Sequence, residues 1–296
     1  MSAIRFAVSG VAPRHSRSTT CSSNASICPA GSPGVSFGSG SSVASRHSVV
    51  AIKRRLRSAP APSLILILLP LHRSYMRPDE DFETLATLPD PPVEALALAL
   101  AAELREPDRD ATLGQLDELG EQLAALVDSG GGPEMEAWAC GELLGGRHGL
   151  AGDRDDYDNP DNSMLDLVLE RRRGLPIALS VVYVAAARRA GIEQLAGVGL
   201  PGHFVVAHFG ASPPLVLDPF SGGVRVSVQA PPRLVRPWSA HETALRMLNN
   251  LVAAYTRRAR LGDAIVAARL RLALPLPDAE RVRVEEELVA LSARLN

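Results

Sequence analysis

Lysine is almost missing from this chain: Lys53 stands alone against 30 arginines. The bias reads as the mark of a GC-rich genome rather than a demand for guanidinium chemistry. Aromatic residues are scarce as well, at 4% of 296 residues. There are three cysteines, and only Cys140 lies beyond residue 75, the others being Cys21 and Cys28. No disulfide framework can therefore staple the body, and a reducing cytoplasm is the expected setting. Acid is absent from residues 1–75, which hold nine Lys and Arg. The remainder then carries 22 basic against 33 acidic residues, a net charge of −11. An acidic body lacks the basic footprint that phosphate backbones require, so no nucleic-acid partner is expected. The apolar run "LILILLPL" at 64–71 falls far short of the roughly 20 residues that cross a bilayer, so no membrane partner is expected either.

What is present begins with a segment that cannot fold alone. Residues 1–60 are rich in Ser, Gly, Pro and Ala without an apolar period, too little to offset the entropy of ordering. "KRRLR" at 53–57 precedes the apolar run, as in a secretory signal, but the run starts beyond residue 60 and no small-residue cleavage site follows. Residues 1–75 are read as a disordered leader, and in preference to a targeting segment as an extension upstream of a true start at Met76.

From there the 46% hydrophobic content is ample for a core. Three parts are expected: helical at 76–150, a core at 151–235 and a helical tail at 236–296. Residues 93–106 and 111–130 read as helices, the second with Leu113, Leu116, Leu119, Leu123 and Leu126 at three- and four-residue steps. A third helix spans 134–146. "DRDDYDNPDN" at 153–162 reads as a solvated turn. As a calcium loop it would have Tyr157, Asp158 and Met164 where an oxygen ligand, a glycine and a glutamate belong. Ser163 is placed to cap a helix over 164–172. Pro176 suits the first turn of a helix over 176–190, with Gly191 beyond its end. That helix is apolar almost all round, as a buried one must be. Strands are expected at 195–200, 203–209, 214–218 and 224–229, then helices at 241–260, 262–273 and 278–294.

If 203–209 and 214–218 pair antiparallel around a four-residue loop at 209–212, His208 faces Pro213, Val205 faces Val216 and His203 faces Asp218. Alternation then puts His203 and Asp218 on one face, within reach of an imidazole–carboxylate hydrogen bond. A histidine oriented by a carboxylate is half of a Cys–His–Asp site, in which the imidazole takes a proton from a nucleophile at a helix N-terminus. Equally, His203 can tie a strand end while Asp218 caps the turn "DPFSGG". Spacing alone leaves both readings open. His148, His208 and His241 have no comparable partner in the sequence and read as ordinary surface or core residues. No cysteine or carboxylate spacing suits a metal, and no cofactor is expected.

The motifs "DYDNPDNSML" (156–165), "VLERRRGLPIALSVVY" (168–183), "GVGLPGHFVV" (197–206) and "LDPFSGG" (217–223) resemble those of the SirB-type branch of the transglutaminase/papain-like superfamily. The resemblance covers most of 85–260. It implies an α+β fold: a helical front, a buried core helix on an antiparallel sheet of about four strands, and a helical tail. In active members a cysteine opens the core helix. Counting back from residues 190–192 puts that position at Pro176, which has no nucleophile, while His203 and Asp218 match the other two members. Cys140 lies on an earlier helix. Ser180, one turn along, is the alternative nucleophile on the core helix, though inside it and away from the terminus that would activate it. Residues 248–278 also resemble one tetratricopeptide repeat, with Leu251, Tyr255 and Ala264 at the expected offsets, Pro275 within one position of its own, and Val252 and Arg271 in place of small residues. One repeat cannot form a solenoid, so a helical hairpin packed on the core is expected. The reading that results is a non-catalytic protein that binds a protein or peptide partner. The alternative is a cysteine-protease-like hydrolase or acyltransferase with an unorthodox nucleophile.

Overall fold

The computed structural model describes residues 5–8, 80–127 and 131–295. The basic stretch 53–57, the apolar run 64–71 and the start at Met76 lie outside the described residues, as do Cys21 and Cys28. The helical front begins at Asp81, whose carboxylate accepts the Thr84 amide and caps α1 (Phe82–Ala86). α2 (Val93–Ala102) is buried on nearly all sides. It ends four residues short of the predicted 106, because the residue before Pro107 is barred from helical conformation and the chain turns away first. α3 (Arg109–Leu126) begins two residues before the predicted 111, with the Asp108 carboxylate capping it through the Ala111 amide. Of its leucine stripe, Leu116, Leu119 and Leu123 are buried, and Leu113 and Leu126 pack against the same core.

The predicted third helix divides. α4 (Pro133–Cys140) runs on as a π-helical stretch, Gly141–Arg147. A β-carbon on Gly145 would lie 1.9 Å from the Gly222 carbonyl oxygen, and one on Gly141 2.6 Å from that of Gly223. Glycine is required at both positions for the two backbones to touch. Ser163 does not cap the next helix. Residues Pro160–Ser163 form a 3-10 turn, Ser163 is buried, and Met164 occupies the cap of α5 (Leu165–Arg171) without a side-chain bond. The acidic loop is more than a solvated turn. Asp153 accepts the amides of Asp155 and Asp156 and pairs with Arg171, while Asp156 and Asp158 pair with Arg258 and Arg257.

α6 (Pro176–Arg189) is the buried core helix, with every residue from Pro176 to Ala187 buried. It follows a short parallel pair, β2 (Ala151–Gly152) with β3 (Arg173–Gly174). The main sheet contains β4 (Leu195–Leu200), β5 (His203–His208), β6 (Leu215–Asp218) and β7 (Val224–Gln229), antiparallel throughout. A fifth strand, β1 (Arg5–Val8), pairs along β7 and falls inside the stretch 1–75. Phe204, Val206, Leu215 and Leu217 join the core that contains α6, and Val205, Ala207 and Val216 form a smaller cluster with Val198, Leu200 and Val226. The tail is α7 (Ala240–Arg257), α8 (Leu261–Leu270) and α9 (Asp278–Leu295), each packed on the next. Ser239 and Glu242 close a capping box at the start of α7. The expected α+β class, with helical ends around a helix-and-sheet core, is the one observed.

Candidate functional site

The β5–β6 hairpin brings His203 and Asp218 together, but not as directly opposed residues. His208 pairs with Leu215, Ala207 with Val216 and Val206 with Leu217. The loop is six residues, 209–214, instead of four. Pro213 and Pro214 have no amide hydrogen and cannot enter the ladder, so the first pair is displaced to Leu215. The register therefore differs from the expected one by two positions. A slip of two preserves the face of every side chain, where a slip of one would have separated the pair. His203 opens β5 and Asp218 closes β6, and His203 Nε2 lies 3.0 Å from Asp218 Oδ1.

Asp218 is the anchor of the site. Its Oδ1 also accepts the Phe220 amide at 3.0 Å, and its Oδ2 accepts the Ser221 hydroxyl at 2.8 Å. Burial alone would raise its carboxyl. The hydrogen bond from His203, the His203 charge and the bonds from Ser221 and Phe220 outweigh burial, and hold the group below the usual carboxylate range. An ionised carboxylate only accepts, so His203 Nε2 carries the proton in this pair. The carboxylate thus fixes the imidazole tautomer and also caps the turn Pro219–Ser221. The imidazole–carboxylate bond and the turn cap therefore coexist in one arrangement. Gly222 and Gly223 follow with φ of +77° and +75°, a left-handed conformation that favours glycine. They bring the chain back onto the π-helical stretch, and the turn Pro219–Ser221 packs on α6.

The residues offered by the sequence as the nucleophile position or its substitutes are placed as follows. Pro176 is buried in the first turn of α6. The Ser180 hydroxyl is 1% exposed and donates to the Pro176 carbonyl oxygen at 2.8 Å, a bond within its own helix. Cys140 is fully buried, and burial together with the nearby Glu136 charge pushes its thiol up to about 12, opposite in sense to an activated thiolate. Tyr183 on α6 is also buried, and its hydroxyl has no hydrogen-bond partner among the described residues. Burial first, then the proximity of Cys140 and Asp218, raises it far above an ordinary phenol.

Around the dyad lies a rim that the sequence did not single out. The Phe220 ring stands edge-on to His203 at 6.2 Å and to Tyr157 at 5.9 Å, with the Arg154 guanidinium 5.2 Å above it. Arg246 of α7 donates to the Leu200 carbonyl at 3.0 Å, and Leu200 is the β4 residue paired with His203. Tyr157, an aromatic side chain inside an acidic loop and 48% exposed, was the one legible signal. His148, His208 and His241, expected to be ordinary surface or core residues, each make a hydrogen bond elsewhere in the fold. His208 pairs with Glu136, His148 with Gln122, and His241 with the Ala86 carbonyl. A separate cavity of about 340 Å³ is lined by Gln122, His148, Leu150, Glu170 and Arg172. Among the described residues no helix is long and apolar enough to cross a membrane.

Comparison with known proteins gives this geometry its context. Residues 110–259, which include the dyad, α6 and the whole β4–β7 sheet, match the model of the transglutaminase-like superfamily. Two strains of Xylella fastidiosa have UPF0162 proteins similar to this chain. One is 34% identical over 248 residues, covering 73% of this chain and 82% of the relative, and the other 33% over 234 residues, covering 68% and 80%. A UPF0162 protein of Pseudomonas aeruginosa is 32% identical over 154 residues, about half of each chain (51% and 52%). No solved structure matches the chain at a significant level. The chain belongs to the transglutaminase-like superfamily, among its UPF0162 proteins.

Proposed function

We propose that this is a non-catalytic, SirB-type member of the superfamily that binds a protein or peptide segment at the cleft around His203 and Asp218. The observation that supports this reading most is the fate of the nucleophile. The residue that opens the core helix is Pro176, and the nearest hydroxyl along that helix, Ser180, is consumed by a backbone bond. His203 and Asp218 keep the geometry of a base and its orienting acid, while the residue that opens the core helix offers no thiol or hydroxyl. Their present work is to hold the turn Pro219–Ser221, and with it the exposed aromatic rim, in one conformation. On this reading the protein acts in the cytoplasm as a regulatory module. The tail α7–α9 is the second part of the proposal. Leu251, Tyr255 and Ala264, the offsets of a tetratricopeptide repeat, are all buried between its helices, and the hairpin extends the surface offered to a partner.

A fluorophosphonate and an iodoacetamide-type probe, each applied to the folded full chain, test the absence of catalysis. The expected result is no labelling of any residue in the cleft. Labelling of a cleft residue that disappears in His203→Ala would establish an activated nucleophile, and the hydrolase or acyltransferase reading would replace this one.

A further inference from the structure

Arg246 is partly buried and has no acidic partner among the described residues. Its guanidinium lies 5.8 Å from the Trp238 ring centre and 6.0 Å from that of Phe204, and its one described hydrogen bond goes to a neutral carbonyl, that of Leu200. Several other partly buried arginines are neutralised, Arg105 by Asp166, Arg171 by Asp153, and Arg189 by Glu94 and Asp117, whereas Arg281 on α9, like Arg246, bonds a neutral carbonyl, that of Leu272. Withdrawing a cation from water without a counter-charge is costly. Burial depresses the affinity of Arg246 for its proton, and only the neighbouring Tyr157 phenol acts in the other direction. Arg154, which stacks on Phe220, likewise has no ion pair among the described residues. Two guanidinium groups without carboxylate partners therefore lie in the neighbourhood of an imidazole whose Nε2 proton is already committed to Asp218.

We infer that the cleft takes a peptide carrying a single acidic side chain, whose carboxylate pairs with Arg246 beside His203 while a neighbouring apolar side chain covers Phe220 and Tyr157. This rests on the peptide-binding reading above. Arginine matches a carboxylate with two parallel hydrogen bonds, and desolvated surroundings strengthen that match. The requirement for one acid, and not a run of them, follows from the rim. Asp155 and Asp161 lie on the loop that carries Tyr157 with no ion pair among the described residues, Asp156 and Asp158 there being paired with Arg258 and Arg257, and the body as a whole bears −11. A second acidic residue would meet repulsion there, so the flanking positions favour neutral or basic residues.

The test is selection of a phage-displayed random dodecapeptide library on the folded full chain, followed by fluorescence anisotropy with a fluorescein-labelled copy of an enriched peptide. The expected sequences contain one Asp or Glu within two residues of an aromatic or long aliphatic side chain. Changing that acid to its amide should weaken binding at least tenfold. Arg246→Gln should cost a similar factor for the acidic peptide and nothing further for the amide peptide. If enriched peptides bind the cleft, as judged by loss in Phe220→Ala, but tolerate the acid-to-amide change, the carboxylate inference is overturned while the peptide-binding reading stands. If no sequence is enriched, both are overturned. The change made on the peptide leaves the protein untouched, so the test survives even if Arg246→Gln does not fold.

Discussion

Replacing Asp218 with alanine withdraws the acceptor from three donors at once: His203 Nε2, the Phe220 amide and the Ser221 hydroxyl. Hydrogen bonds to a charged group contribute about 1.5–3 kcal/mol each when buried. The three donors are only partly buried, so water replaces part of each bond and each contributes less than that, about 1 kcal/mol. The expected loss is about 2–4 kcal/mol in urea denaturation followed by circular dichroism, a large part of a typical stability of about 5–15 kcal/mol. Asp218→Asn keeps one oxygen for the Phe220 amide and should cost about 1 kcal/mol by retaining that bond. The pair itself is isolated by a double-mutant cycle. His203→Ala and Asp218→Ala together should cost about 1 kcal/mol less than the sum of the single changes, since each single change already breaks the shared bond. The pH dependence has a definite sign. The folded carboxyl lies below its unfolded value, so its contribution is complete above that unfolded value, about 3.9, and is lost as pH falls through the folded one. Below about pH 4, where Asp218 takes up its proton, the gap between the parent and Asp218→Asn should close on further acidification. Additivity of the two alanine changes within about 0.3–0.5 kcal/mol would refute the coupling, and a gap that widened with acid would refute the sign.

Three further outcomes are expected. Val181→Asp, at a site 2% exposed on α6, should leave the chain unfolded or lower its stability by several kcal/mol in the same denaturation assay, because an unpaired charge enters the core. Gly145→Ala should cost about 1–3 kcal/mol because its methyl meets the Gly222 carbonyl backbone, whereas Gly114→Ala, with open space around it in α3, should gain up to about 1 kcal/mol. Cys140 should resist iodoacetamide at neutral pH in the folded chain and become labelled in urea, as read by mass mapping of the peptide that contains it; labelling under native conditions would contradict its burial.

How far the sequence reached depended on which physical signal each element carries. β4 and β7 were legible to the residue, and α6 to within one: α6 and β4 are near-continuous apolar runs beside proline or glycine punctuation, and β7 alternates Val with Arg, Ser and Gln after two glycines. The helix ends that moved did so for local chemistry that outranks periodicity: Asp108 draws α3 back to Arg109, and Pro107 cuts α2 short. The hairpin shows the same competition. Alternation predicts which face a residue occupies, and it placed His203 with Asp218. It does not predict how far along the strand the partner lies, and two prolines with no amide hydrogen set that distance. Contacts between distant segments carried no local signature at all. His208 finds Glu136 across 72 positions, and Arg246 reaches the β4–β5 turn across 46. Each of those residues, read alone, is an ordinary member of a strand or an amphipathic helix, and its meaning depends on packing that no window of sequence contains. The rim of the cleft is built almost wholly from such residues, Phe220, Arg154 and Arg246 among them. A sequence that announces a dyad through its motifs can therefore conceal the surroundings of that dyad, because a motif is read in one window, whereas the rim is spread over elements that meet only in the fold.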